Sequence, residues 1–415
     1  MVAAIIVIGD ELLLGQVIDT NSAFIAQRLS ELGIKVVRKW TIADTLEEIN
    51  QALKEASQLS ELVFLTGGLG PTKDDITKKA ISDFFKVPLQ FSEKNYEHLH
   101  QFLTYRKIPI RDSHKVQCYI PSNAELLENK LGTAMGMWIE HNNKIFISMP
   151  GVPDEMKYIL LNGALPRIQK LWKGHFVSSK TFHTCGVGET EIAERLEPVL
   201  LEFMDRITIA YLPSIAQVRF RITTVGQDQN EMNELLDQCS IVIRKEFGQL
   251  IFGEDKTLLE IELGKLLKEN KLTIGTVESC TGGTIASKLS SVPGCSDYYK
   301  GSIISYATEI KETLLGIPDE LIQEHNVVSS QVAEAMVRNS VGLLKSDLII
   351  SSTGIAGPDG GTEKIPLGTV FISCGNSKRI LTRKLTLGKN RDRNIEAASV
   401  LALNLAREWV LGIEI

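Results

Sequence analysis

Residues 2–8 read Val-Ala-Ala-Ile-Ile-Val-Ile, an apolar run with no polar interruption that ends in Gly9-Asp10-Glu11. A half-exposed strand alternates polar and apolar residues, and a surface helix keeps a polar stripe. An unbroken, β-branched run of this length therefore predicts a strand buried on both faces. Such a strand sits in a parallel sheet covered by helices. The loop after it delivers polar residues to the sheet's carboxyl edge, where ligands of open α/β sheets collect.

The same alternation continues along the chain. Phe24, Ile25, Leu29 and Leu32 recur at helical spacing over residues 21–32, and Gly33 closes that segment. Residues 35–40 read as a strand, 46–58 as a helix, 62–65 as a buried strand and 76–85 as a helix. Residues 144–149 (KIFISM) form a strand stopped by Pro150-Gly151-Val152-Pro153, before a helix over 154–161. This predicts a parallel α/β domain over residues 1–173. Over residues 174–253 the pattern changes to alternating stretches, 179–185 and 217–224, around helices 189–203 and 230–247, a small α+β unit. From residue 254 to 415 the rhythm returns, with a helix over 257–270, strands at 273–277, 347–353 and 368–373, and a helix from Gly283. The predicted fold class is α/β: two doubly wound α/β domains joined by a small α+β middle domain.

Charge and composition exclude several classes of function. Lys plus Arg number 45 against 51 Asp plus Glu, a formal net charge of −6, which repels duplex nucleic acid. No apolar run approaches the roughly 18 residues of a membrane span, and no basic residues precede residues 2–8 as a signal peptide requires. The expectation is a cytoplasmic protein with no membrane partner. Six cysteines, at 118, 185, 239, 280, 295 and 374, make no C-x-x-C pair, so reduced and mostly buried thiols are expected rather than metal ligands.

Residues 62–77 place Gly67, Gly68 and Gly70 between a buried strand and a helix, a loop whose backbone N–H groups can approach a phosphate. Asp74 and Asp75 at that helix start would repel a bare phosphate, which makes them better ligands for a divalent cation. Asp10, Glu11, Asp19 and Glu155 lie at other strand ends and are candidates for the same metal set.

T-G-G-x-G-x-x-x-D-D together with M-P-G-x-P at 149–153 resembles the molybdopterin-binding (MoaB/MogA-like) domain. With G-D-E-L-L-x-G-x-x-x-D-T-N at 9–21, it resembles the amino-terminal half of the CinA (competence/damage-inducible protein A) family. The resemblance implies that Asp75 acts at the phosphate end of the ligand, with Asn21, Gly67, Gly68 and Gly70 binding substrate. It also implies metal-dependent ADP-ribose pyrophosphatase activity.

In the last domain, residues 273–277 run into Glu278-Ser279-Cys280-Thr281-Gly282-Gly283 and then a helix. Ser279 therefore stands where a strand ends and helix N–H groups begin, a position that suits a nucleophile or an oxyanion site. Of seven histidines only His325 falls in this domain, so a Ser/His/Asp triad is not expected. A buried lysine can replace the histidine, because only a neutral amine takes the serine proton; Lys300 and Lys311 are the candidates. Residues 351–361 form a further strand running into a glycine-rich loop.

E-S-C-T-G-G, Y-A-T-E-I-K, T-G-I-A-G-P-D-G-G and P-L-G-T-V together resemble the carboxy-terminal CinA domain, the PncC-type nicotinamide mononucleotide deamidase. That resemblance implies Ser279 as nucleophile and Lys311 as its base, with Thr281, Tyr306 and Thr353 in the pocket. Glu278, Gly282, Gly283, Thr308, Gly354 and Gly357 belong to the implied substrate-binding set, and Arg391 would hold the substrate phosphate through its guanidinium. No cofactor is implied for this domain.

Gly186-Val187-Gly188-Glu189 in the middle segment echoes the glycine-rich loop of KH domains, but Glu189 and Glu191 stand where phosphates would want positive charge. A linker or dimerisation module, and hence a homodimer, is expected rather than nucleic-acid binding. The expected function is pyridine-nucleotide salvage by two hydrolases acting on nicotinamide mononucleotide and ADP-ribose. The rival is a molybdopterin-like or competence-associated binding protein without turnover.

Overall fold

A computed structural model describes residues 1–71, 75–171 and 176–413. The chain divides into two compact units, Met1–Ser178 with Val225–Met232, and Ser179–Thr224 with Asn233–Ile415.

The first unit is built on a six-stranded sheet in the order Lys35–Ile42, Val2–Ile8, Leu62–Thr66, Lys144–Met149, Gly136–His141, Glu125–Leu127. The first four strands are parallel and Gly136–His141 pairs antiparallel with both its neighbours, so the wholly parallel sheet expected from the βα rhythm is corrected to a mixed one. The cause is local. Asn142 and Asn143 both adopt positive φ, 50° and 61°, and make a two-residue hairpin between His141 and Lys144. Asparagine tolerates that conformation, and such a turn matches the twist of an antiparallel pair.

Alternate residues of the first strand feed two cores. Ala4, Ile6 and Ile8 pack on one face with Val63 and Leu65. Ala3, Ile5 and Val7 pack on the other with Leu62 and Phe64. This double burial is why residues 2–8 carry no polar position, each large side chain contributing roughly 1.5–3 kcal/mol. The helix Leu46–Leu59 starts at Thr45, whose side chain accepts the Glu48 N–H, and buries Ile49, Ala52, Leu53 and Ala56 against the sheet.

In the middle of the chain lies a four-stranded sheet ordered Ile207–Ser214, Gln217–Gly226, Phe176–Cys185, Ile251–Glu254. Phe182, Phe220, Ile192, Leu196, Leu235 and Ile243 form its core with two helices. The last domain carries a five-stranded sheet ordered Tyr299–Ile304, Ile274–Glu278, Leu348–Gly354, Thr369–Gly375, Ile380–Thr386. Its first three strands are parallel, and Thr369–Gly375 pairs antiparallel with both its neighbours.

Residues 179–224 and the last domain share one unit, and their seam explains why. Arg407, 4% exposed on the helix Arg391–Val410, donates to the carbonyls of Gln249 and Ile251 and, at 3.0 Å, to Asn404 Oδ1. Cys185 and Phe252 join the core of the last domain. No helix among the described residues is long and apolar enough to cross a membrane.

Candidate active site

The strand Ile274–Glu278 ends level with both neighbours, Glu278 standing opposite Ile304 and Ser352. Ser279 is the next residue, and its N–H donates to the Ser352 carbonyl at 3.0 Å, which fixes the turn at the sheet's carboxyl edge. The chain then reverses through Gly282 and Gly283, whose φ values of 58° and 100° a side chain would strain. The helix Thr284–Ser290 follows.

Glu278 makes that turn rigid. Its carboxylate is fully buried and accepts the N–H groups of Gly283 (2.9 Å), Ile285 (3.2 Å) and Ala286 (2.8 Å) and the hydroxyls of Thr281 (2.7 Å) and Thr276 (3.0 Å). It satisfies the orphan donors of a helix start from the side of the strand. Glu278 and Thr281, both in the sequence-predicted set, therefore stand behind the pocket wall, and neither they nor Gly282 and Gly283 line the cavity.

The neighbouring strand Tyr299–Ile304 leads into Ser305 and Tyr306 and then the helix Thr308–Thr313, which carries Lys311. Lys311 is 1% exposed; its Nζ donates to Ser279 Oγ at 3.1 Å, to the Ser305 carbonyl at 2.6 Å and to the Tyr306 carbonyl at 3.4 Å. No carboxylate among the described residues pairs with the amine, and burial pushes its pKa below the ordinary lysine value. Lys300, the other lysine weighed, is exposed on the strand. Cys280, beside Ser279, is pushed up by burial to about 12, which keeps it a protonated thiol at neutral pH.

Ser279 and Lys311 open into a cavity of about 350 Å³ whose walls include Tyr306, Thr308, Thr353, Gly354 and Arg391. Thr353 Oγ1 donates to the Val327 carbonyl at 2.8 Å. Arg391 is fixed at the mouth, one nitrogen donating to the Gly357 carbonyl at 2.8 Å and another to the Tyr306 hydroxyl at 3.2 Å. Asn326, which sequence reasoning missed, also lines the cavity. Its φ is 70° and its Oδ1 accepts the Val328 N–H at 3.0 Å. His325, partly buried and next to Glu324 at 3.6 Å, stays outside.

In the first unit a second cavity, about 570 Å³, brings Asp10, Glu11, Gly67, Gly68, Gly70, Asp75 and Glu155 together. Gly67 has φ 115° and its backbone lies against the Ile8 carbonyl, so only glycine fits. A Cβ at Gly70 would come within 2.6 Å of Asp75 Oδ2, and one at Gly9 within 2.6 Å of Glu11 Oε1, so both glycines clear room for carboxylates. Asp44, at the end of a strand and absent from the sequence-predicted set, lines the same cavity. Its pKa is raised, mainly by burial, the Asp10 N–H opposing and the charges of Asp10, Glu11 and Asp75 adding to the rise.

Asp19 and Asn21 are not brought to this cavity. Both Asp19 oxygens are taken by the N–H and hydroxyl of Ser22. Asn21 donates to Thr66 Oγ1 at 3.0 Å and the Gly151 carbonyl at 2.7 Å, tying the helix start to two strand ends. Glu155 is held by Asn129 Nδ2 at 2.7 Å. Asp74 lies outside the described residues. All-oxygen donors around Asp75 suit a hard divalent cation, although no three acids, histidines or cysteines among the described residues are already gathered as a ligand set.

Comparison with known proteins matches three successive segments of the chain. Residues 4–170 match the model of the probable molybdopterin binding domain, 179–253 that of the damage-inducible protein CinA KH domain, and 256–410 that of the CinA C-terminal domain. A CinA-like protein of Flavobacterium psychrophilum is 44% identical over 419 residues, covering 99% of each chain. One of Cytophaga hutchinsonii is 40% identical over 412 residues, again covering 99% of each. Among solved structures, the CinA protein of Thermoplasma acidophilum is 32% identical, over 41% of this chain and 96% of that one, at a TM-score of 0.37. Matched end to end by such relatives and in three successive segments by the family's domains, the chain belongs to the CinA family.

Proposed function

We propose that the last domain is a serine-dependent amidohydrolase that converts nicotinamide mononucleotide to nicotinate mononucleotide and ammonia. The observation that carries this reading is the 3.1 Å contact between Lys311 Nζ and Ser279 Oγ in a pocket that Arg391 also lines. A purely binding site has no use for an amine buried against a serine hydroxyl.

Neutral Lys311 accepts the Ser279 proton as Oγ attacks the carboxamide carbon, forming a tetrahedral intermediate. The intermediate collapses as Lys311 returns the proton to the departing nitrogen, which leaves as ammonia. Water, deprotonated by the same amine, then hydrolyses the ester and restores Ser279. Backbone N–H groups of the surrounding loops stabilise the oxyanion, and Arg391 anchors the phosphate. The substrate's positive pyridinium ring itself draws electrons from the amide carbon.

Hydroxylamine tests this path, because it competes with water for an acyl-enzyme. The expected result is a hydroxamate formed in proportion to hydroxylamine concentration. Nicotinate mononucleotide as the sole product at every concentration would overturn the covalent route.

For the first unit, we propose hydrolysis of the pyrophosphate of ADP-ribose. Asp75, Asp10, Glu11 and Asp44 are the residues that would hold a divalent cation. When bound, the ion offsets pyrophosphate charge and polarises a phosphorus–oxygen bond. Gly67 and Gly68 let the loop pack against the Ile8 carbonyl and the Thr77 hydroxyl, and the loop lines the cavity in which the pyrophosphate would lie beside the carboxylates.

A further inference from the structure

We propose that the groove between the middle sheet and the last helix is a separate binding site for a nucleoside monophosphate, coupled to the amidase pocket. The groove has a volume of about 1030 Å³, large enough for a nucleotide. One wall is the Gly186-Val187-Gly188 loop, the KH-like echo of the sequence; the other is the start of the helix Arg391–Val410. A Cβ at Gly188 would meet nothing within 4 Å, so the loop faces open space. At Gly186, Leu401 stands 3.8 Å from the Cβ position, so the loop and the last helix come together at that end of the groove.

The chemistry of the walls selects the ligand. Lys389 and Arg393 both face the groove, both are exposed, and neither side chain makes a hydrogen bond or ion pair among the described residues. Of the two acids present, Glu408 is paired with Arg383 at 3.1 Å, and Glu189 is exposed on the loop. Two free cations beside the apolar side chains of Val187, Leu387 and Leu401 suit a phosphate monoester carrying a flat, weakly polar base.

The coupling is read from Asn394, which is 3% exposed and lines the groove. Its Nδ2 donates to the Gly388 carbonyl on the groove side at 2.8 Å and to the Ala356 carbonyl of the amidase pocket wall at 2.9 Å. Residues 388–394 thus serve both sites, with Arg391 facing the amidase pocket and Lys389 and Arg393 the groove. A ligand that draws Lys389 and Arg393 together repositions Arg391. This second step rests on the amidase reading; the binding itself does not.

The test is calorimetric titration of AMP into the full chain carrying Ser279→Ala, with and without Lys389→Ala and Arg393→Ala, folding being checked by circular dichroism. The expected result is at least tenfold weaker binding in one class of sites when both cations are removed. An unchanged isotherm overturns the site, and inorganic phosphate binding as tightly as AMP overturns the nucleoside assignment. In the active chain, AMP is expected to shift the KM for deamidation, a shift lost without the two cations. Binding without any change in KM overturns the coupling alone.

Discussion

At the scale of single residues, the chemistry turns on the protonation state of Lys311. Its pKa lies below the ordinary lysine value of 10.5 because the amine is buried. The base is the neutral form, so kcat/KM is expected to rise with pH through that lowered pKa and level off above it, the limb lying below pH 10.5. Lys311→Arg fixes a positive charge at the site and should lower kcat by about 10²–10⁴. A pH profile measured by ammonia release checks both, and a limb at the ordinary lysine value would remove the basis for Lys311 as base. Ser279 was legible in the sequence because a strand ending at a glycine turn marks a site. From the residues alone Lys311 was one of two candidate lysines, since burial is a property of the fold, and it was the family resemblance that singled it out. Asp44 was missed because no glycine or second acid marks its strand end, although it lies only two residues past Ile42.

At the scale of elements, the active-site turn depends on a buried carboxylate that does not line the cavity. Glu278 satisfies three N–H groups and two hydroxyls at the start of the helix Thr284–Ser290. Glu278→Ala should therefore destabilise the second unit by about 3 kcal/mol, with Glu278→Gln costing less because one acceptor oxygen remains. Thermal unfolding is the check; an unchanged Tm in Glu278→Ala would show that the helix start finds other partners. The sequence placed Glu278 beside Ser279 but could not say which way it points, because alternate strand residues face opposite sides of the sheet. Buried strands were legible from unbroken apolar runs. The antiparallel strands beyond Lys144–Met149 were not, since their reversal rests on two asparagines with positive φ rather than on hydrophobic period.

At the scale of the whole molecule, two α/β sheets each carry a cavity at the carboxyl ends of their parallel strands, and each cavity holds different chemistry. The first gathers carboxylates around a glycine-rich loop; the second pairs a serine with a lysine. That much followed from the rhythm of strands and glycine loops. The fusion of the middle segment with the last domain did not, because Arg407 reads in sequence as an ordinary helix charge while in the fold it is buried against the carbonyls of Gln249 and Ile251.

The central claim is that the second cavity turns over without metal through Ser279. It is tested by ammonia release from nicotinamide mononucleotide, in the presence of a chelator, by the wild-type chain and by Ser279→Ala. Wild type is expected to release ammonia, and the variant to release it at least about 10³-fold more slowly while still hydrolysing ADP-ribose once divalent cation is restored. A folded Ser279→Ala protein that keeps its ammonia release would contradict the role of Ser279, and a wild-type chain that releases none would contradict the amidase assignment and favour a ligand-binding protein without turnover.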